Sequence, residues 1–136
     1  MRVSAKADYA LRAMLELAAA GERVKGERIA AAQGIPQKFL ENILLDLRRA
    51  ELVASQRGVE GGYLLARPAA EISVADVIRA VEGPLATVRG SRPEDVVYTG
   101  VAAPLQETWI ELRSAMRGVL EETSLADLLD RARTPR

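Results

Sequence analysis

Two short stretches carry side chains suited to recognising nucleic acid. Gln37, Lys38 and Glu41 fall within about one helical turn of each other, and Arg57 heads a glycine-rich run, Arg57-Gly58-Val59-Glu60-Gly61-Gly62. Amides and carboxylates can pair with base edges, and a guanidinium can enter a groove or clasp a phosphate. Catalysis has far less to work with. The 136 residues include no cysteine and no histidine, which removes disulfides, thiolate nucleophiles, histidine bases and the usual zinc ligands. Carboxylate metal sites and serine chemistry stay formally open, but there is no P-loop, no GxGxxG after a strand and no GxSxG elbow. Neither enzyme activity nor a metal or cofactor is expected.

These polar residues need elements to hold them. Lys25 to Gln33 is helical by composition with Ile29 and Ala30 inward, Gly34 supplies a turn, and Pro36 can open a second helix because its missing N–H costs nothing there. Leu40, Ile43, Leu44 and Leu47 then recur at helical spacing, leaving Gln37, Lys38, Glu41, Asn42, Arg48 and Arg49 outside. A short helix, a glycine turn and an amphipathic helix with a polar outer face is the helix-turn-helix pattern. Leu52 to Gln56 and Tyr63 to Ala66 read as strands flanking the glycine-rich run, a hairpin that forms a wing. The order, helix-turn-helix and then hairpin, is more specific than either part and points to nucleic-acid binding by a mainly α, winged-helix fold.

Ser4 caps a first helix running to Gly21. Tyr9, Ala13, Met14 and Leu17 make one apolar stripe on it, and Leu11, Leu15 and Ala18 or Ala19 a second, so it is either covered on two sides, once by its own domain and once by something else, or sunk deep in a core. Ser73 and Asp76 have capping-box spacing ahead of a helix from Val74 to Val81 that stops at Gly83-Pro84, and Ser124 and Asp127 repeat that spacing ahead of a last short helix. Residues 84–104 are irregular, which marks a functional or mobile loop. Pro104 can open a long helix whose Leu105, Trp109, Leu112, Met116 and Val119 are spaced by four, three, four and three, the seam of a coiled coil. That seam predicts a homodimer, with packing inside one chain as the alternative. The tail Thr134-Pro135-Arg136 is expected to fray.

The expected organisation is a DNA-binding part over residues 1–67 and a part over 68–136 holding the connecting helix, loop and dimerisation helices. Net charge is zero, with 11 basic and 8 acidic residues in the first part and 8 and 11 in the second. The chain contains no run of about 20 apolar residues to span a bilayer, and Met1-Arg2-Val3-Ser4-Ala5-Lys6 lacks the apolar stretch of a secretory signal. A cytoplasmic location without membrane association is expected.

Ser4-Ala5-Lys6-Ala7-Asp8-Tyr9-Ala10, Gly34-Ile35 with Phe39-Leu40-Glu41, Leu52-Val53, and Arg57-Gly58 followed by Gly61-Gly62-Tyr63-Leu64 resemble the IscR-type winged-helix regulators, the Rrf2 family. The likeness continues through Val74–Glu82 and Trp109–Leu129 and so covers nearly the whole chain. It implies a transcriptional regulator, more often a repressor, dimerised through its long C-terminal helix on a palindromic operator of double-stranded DNA. By resemblance, Arg57 is the wing arginine that enters the minor groove, and Glu41 is a recognition-helix glutamate able to accept from cytosine N4. Lys38 falls where the family varies and would meet either phosphate or guanine. The candidate DNA-contacting set is Lys6, Arg28, Gln37, Lys38, Glu41, Arg57 and Gly61.

Many members of that family hold an iron–sulfur cluster through cysteines in the loop before the long helix. Alignment on Val81 and Trp109 puts Gly90, Ala103 and Gln106 at or near the ligand positions, and no other cysteine can substitute. Cluster-free relatives respond to small metabolites or to a partner enzyme. Arg89, Arg92 and Tyr98 form a candidate effector loop, two arginines for an anion and an aromatic face for stacking; the same segment also reads as a charged linker. The competing function is a winged-helix interaction module or an adaptor to a metabolic enzyme, without DNA binding of its own.

Overall fold

Ser4 begins the first helix, α1 (Ala5–Ala20): its Oγ accepts from the Ala7 amide at 3.0 Å, and Gly21 ends the helix with φ 64° while donating to the Leu17 carbonyl. The computed structural model describes residues 2–134; Met1, Pro135 and Arg136, and with the last two the end of the tail expected to fray, lie outside the described residues. The fold is mainly α, with six α-helices and one two-stranded antiparallel sheet among the described residues. After α1 come α2 (Gly26–Gln33) and α3 (Gln37–Arg49), separated by left-handed Gly34 and buried Ile35. Pro36 is the cap of α3 rather than its first helical residue, a shift of one position within the usual fraying of helix ends.

The wing pairs β1 (Val53–Gln56) with β2 (Gly62–Leu65), in the register Val53 with Leu65 through Gln56 with Gly62. Val24, just ahead of α2, adds a bridge to Tyr63 through two backbone hydrogen bonds of 2.8 Å. That bridge fastens the wing to the helix-turn-helix and leaves no space at Gly62: a Cβ there would lie 2.9 Å from the Val24 carbonyl oxygen, on a backbone with φ 139°. Gly61 is confined more tightly still, since a Cβ would meet the Gln56 carbonyl oxygen at 2.3 Å.

A 3-10 turn (Ala69–Glu71) leads into α4 (Val74–Glu82), whose capping box is complete: the Ser73 Oγ accepts from the Asp76 amide and the Asp76 carboxylate accepts from the Ser73 amide, both at 3.0 Å. Ser124 and Asp127 repeat the device at the start of α6 (Leu125–Arg133). Two amide donors in the first turn are thereby satisfied at each helix. Between them stands α5 (Leu105–Leu120), entered through Pro104.

The core is continuous across the chain. Met14 and Leu17 of α1, Ile29 of α2, Leu40, Ile43, Leu44 and Leu47 of α3, Ile72, Val77 of α4 and Leu125 of α6 are almost wholly buried in one cluster. Helix α1 packs against α2, α3, α4, α6 and β2. Both of its stripes are therefore covered from within the chain: Ala7, Ala10, Ala13, Met14 and Leu17 are buried, Leu11, Leu15 and Ala18 are partly buried against the same core, and Ala19 is exposed. Helix α4 touches both α1 and α3, so the second half of the chain supports the helix that carries Gln37 and Glu41. No helix among the described residues is long and apolar enough to cross a membrane.

Candidate nucleic-acid interface

Four buried leucines and isoleucines fix one side of α3, which turns Gln37, Lys38 and Glu41 to solvent. Opposite them stands the wing, and between the two runs an open groove of about 350 Å³. Its walls are Gln37, Glu41 and Arg48 from α3, Lys25 from the start of α2, and Arg57 and Tyr63 from the wing. Two further contacts fix the wing against the helices: Lys25 Nζ donates to the Gly58 carbonyl at 3.2 Å, and Arg48 Nη1 donates to Ser55 Oγ at 3.2 Å. Such exposed bonds contribute little individually; their value is in aim, because they hold the tip that carries Arg57.

The structure brings Gln37, Glu41 and Arg57 onto this groove, with Lys38 exposed beside it on α3. Arg28 is exposed on α2 and lines a second open depression with Lys25, Val59 and Gly61. Two residues stand differently from the sequence expectation. Lys6 pairs with Asp46 of α3 at 2.8 Å, so its charge is engaged inside the protein. Gly61 is buried and its amide donates to Gly58 within the tip, so its local part is to close the turn. Lys25 and Tyr63 were absent from the expected set because their place in the groove depends on the Val24–Tyr63 bridge, a pairing across 39 positions of sequence with no local signature. A basic residue directly ahead of α2 is the one hint for Lys25.

The expected dimerisation residues divide into two lines along α5. Leu105, Leu112 and Val119, seven apart, are exposed at 42%, 38% and 65%, while Trp109 and Met116 are partly buried. No residue of α5 is fully buried. Trp109 Nε1 donates to the Tyr98 hydroxyl at 2.8 Å, which ties the irregular segment to the helix.

That segment is more ordered than its composition suggests. Arg89 and Gly90, at φ 50° and 79°, form a two-residue turn closed by reciprocal Val88–Ser91 hydrogen bonds, the geometry of a tight hairpin. Short 3-10 turns follow at Pro93–Asp95 and Gly100–Ala102. Gln106 Nε2 donates to the carbonyls of Val96 (3.0 Å), Glu94 (3.1 Å) and Pro93 (3.3 Å), and Arg113 pairs with Glu94 at 2.7 Å. The Glu94 carboxyl is held below the usual range, first by a hydrogen bond from its own amide, against some desolvation, and then by Arg113 and Arg92. Arg92 is raised by its hydrogen bond to Asp95 and by the charges of Asp95 and Glu94. Of the expected effector residues, Arg89 is on the turn, Arg92 is held by Asp95 at 2.9 Å, and Tyr98 is bonded to Trp109.

The ligand positions implied for an iron–sulfur cluster do not suit one. Gly90 forms the hairpin turn, Ala103 has no donor, and the Gln106 amide is engaged with three carbonyls. No three metal-ligating side chains converge among the described residues, and the sequence has no thiol to supply.

Comparison with known proteins gives this architecture its relatives. The family model Rrf2, described as an iron-dependent transcriptional regulator, matches residues 3–131. A helix-turn-helix-type transcriptional regulator of Mycobacterium tuberculosis is similar at 56% identity over 130 residues, covering 94% of this chain and 81% of its own. The solved structure of CymR, the global cysteine regulator of Bacillus subtilis, is similar with a TM-score of 0.80 and 34% identity over 99% of both chains. IscR of T. potens follows with a TM-score of 0.78 and 33% identity, covering 97% of this chain and 88% of its own. These relatives are transcriptional regulators, not enzymes. With a family match over nearly its whole length and a winged helix like theirs, the chain belongs to the Rrf2 family of helix-turn-helix transcriptional regulators.

Proposed function

We propose that this protein is a homodimeric repressor that acts in the cytoplasm on a palindromic operator and carries no cysteine-held cluster. Residues 1–67 read the DNA, and residues 68–136 connect and pair the two copies. The observation that carries the reading is the open groove between the exposed face of α3 and the wing, with Gln37 and Glu41 on one wall and Arg57 on the other.

In this reading α3 enters the major groove with its N-terminal end, where Glu41 accepts from cytosine N4 and Gln37 reaches a base edge. Lys38 and Arg28 meet phosphates, and Arg57 enters the adjacent minor groove, where a narrow groove concentrates negative potential. Lys6 contributes by holding α3 through Asp46 rather than as a free charge. Leu105, Leu112 and Val119 supply the dimer contact, with Trp109 and Met116 beneath them. A twofold axis between the copies sets the half-sites about one helical turn, roughly 34–36 Å, or a multiple of it apart.

The test is a mobility-shift titration on DNA from upstream of the gene, with wild type and Arg57→Ala, across a range of salt. Wild type is expected to shift the DNA, and Arg57→Ala to bind more weakly with a salt slope shallower by about one charge. Normal binding by Arg57→Ala would overturn the role of the wing. Failure of wild type to bind at low salt would favour the interaction-module reading, with which the zero net charge is compatible.

A further inference from the structure

Four cavities among the described residues are lined by both signs of charge, but a fifth is different. Where the end of α4, the segment after it and α5 meet, a cavity of about 360 Å³ is lined by Arg79, Arg92, Arg113 and Arg117, with Pro84 and Leu85 among its apolar walls. No carboxylate lines it. The acids that accompany these arginines hold them from outside: Glu121 pairs with Arg79 and lies 3.8 Å from Arg117, Glu94 holds Arg113 at 2.7 Å, and Asp95 holds Arg92 at 2.9 Å. Four guanidiniums thus share three carboxylates. A guanidinium has more donors than one carboxylate takes up, and Arg117 at 3.8 Å is beyond hydrogen-bond reach of its acid.

We propose that this cavity binds a small free anion, a carboxylate or tetrahedral oxyanion compound, and that its occupancy alters operator affinity. Guanidiniums recognise both groups through paired N–H donors, and the volume is at the small end of ligand sites, which excludes a bulky cofactor. The walls all belong to residues 68–136, but they stand on two helices with different neighbours. Arg79 is on α4, which packs on α1 and on the recognition helix α3, whereas Arg113 and Arg117 are on α5, the helix with the exposed apolar line. An anion clasped by all four draws α4 and α5 together and competes with Glu121, the acid shared between those two helices. Arg92 is the one member of the expected effector loop that reaches the cavity; Arg89 and Tyr98 are not among its walls. The coupling to operator affinity rests on the DNA-binding reading above; the anion site itself does not.

The experiment uses the full chain and two probes, inorganic phosphate and citrate, against chloride at matched ionic strength. Calorimetry is expected to give saturable binding of at least one probe, one per chain, with a higher Tm than in chloride. Arg117→Gln, which has no hydrogen bond to Glu121 to lose, and Arg92→Gln are each expected to weaken binding about tenfold, while Arg89→Gln binds as wild type does. Operator affinity at saturating anion is expected to change by about fivefold or more. Equal Tm effects of chloride and both probes, or undiminished binding by Arg117→Gln and Arg92→Gln, would overturn the site. Equal loss in Arg89→Gln would move it to the hairpin turn and overturn it as well. Anion binding with unchanged operator affinity would overturn the coupling. A chain that binds no DNA at all would defeat the regulator reading while leaving the calorimetric result to judge the cavity.

Discussion

Replacing Gly62 by alanine tests how the wing is fastened. The residue has φ 139°, and its new Cβ would lie 2.9 Å from the Val24 carbonyl oxygen, 3.0 Å from the carbonyl carbon and 3.2 Å from the amide nitrogen. All three are backbone atoms, so no side chain can swing aside. Positive φ alone costs an L-residue roughly 1–2 kcal/mol. Relief of the contact requires β2 to part from Val24, which gives up two hydrogen bonds of 2.8 Å worth about 0.5–1.5 kcal/mol each. The total is about 2–5 kcal/mol, or a fall in Tm on the order of 10 °C for a chain of this size. Gly58→Ala is the matched control, because it has φ 99° but open space where its Cβ would go. It should show the backbone cost alone, about 1–2 kcal/mol. Thermal and urea unfolding at one fixed protein concentration give both values, since the stability of any self-associating chain depends on concentration. Operator affinity should also fall in Gly62→Ala, because Arg57 loses its mounting. If the two variants unfold alike, the close approach to Val24 is not a constraint and the account of the wing is wrong.

Substituting Leu112 by arginine should shift the protein toward monomer in sedimentation velocity: burial of a leucine is worth about 1.5–3 kcal/mol, it occurs twice across a twofold axis, and the dimer constant should weaken at least about 100-fold. An unchanged dimer would place the interface elsewhere. Glu41→Ala should alter base preference in a binding selection more than it alters overall affinity, whereas a uniform loss across sequences would mean that Glu41 does not read bases. Asp127 has its carboxyl held below the usual range, by the Ser124 amide first and the Ser124 side chain next. A depressed folded-state value means that its contribution to stability is complete above the ordinary carboxylate range and is lost as pH falls through the depressed value. Asp127→Ala should therefore have a lower Tm than wild type near neutral pH, with the gap narrowing in strong acid; a gap independent of pH would remove the capping box as its cause.

Much of this was legible because it is local. Ser4, Ser73 and Ser124 cap helices through atoms three residues away, Gly21 and Gly34 adopt the left-handed conformation that ends a helix, and the leucine spacing of α3 sets its buried side. The hairpin was legible from its glycine-rich tip between two short strand-like runs. What escaped depends on partners far apart in the chain. Nothing periodic announces that Gln106 will bond three carbonyls of the preceding segment, that Lys6 will reach Asp46, or that Arg79 and Arg117 will converge on Glu121 from different helices. Such contacts are made by long side chains whose direction is decided only after the helices have packed. The groove showed the same division: its α3 wall was readable from spacing, whereas Lys25 and Tyr63 joined it through a backbone bridge.

The position of α6 bears on how the protein is born. Its Leu125 is wholly buried in the same core as Met14 of α1, its amide donates to the Ile72 carbonyl, and Ser124 bridges Ser73. Helix α1 thus waits for α6, made more than 100 residues later. Contacts of such long sequence separation form late and slow folding, so the core around α1 cannot be completed while α6 is still in the exit tunnel. A nascent or prematurely terminated chain would leave one side of α1 bare, and truncated products should be cleared by proteolysis instead of competing for DNA.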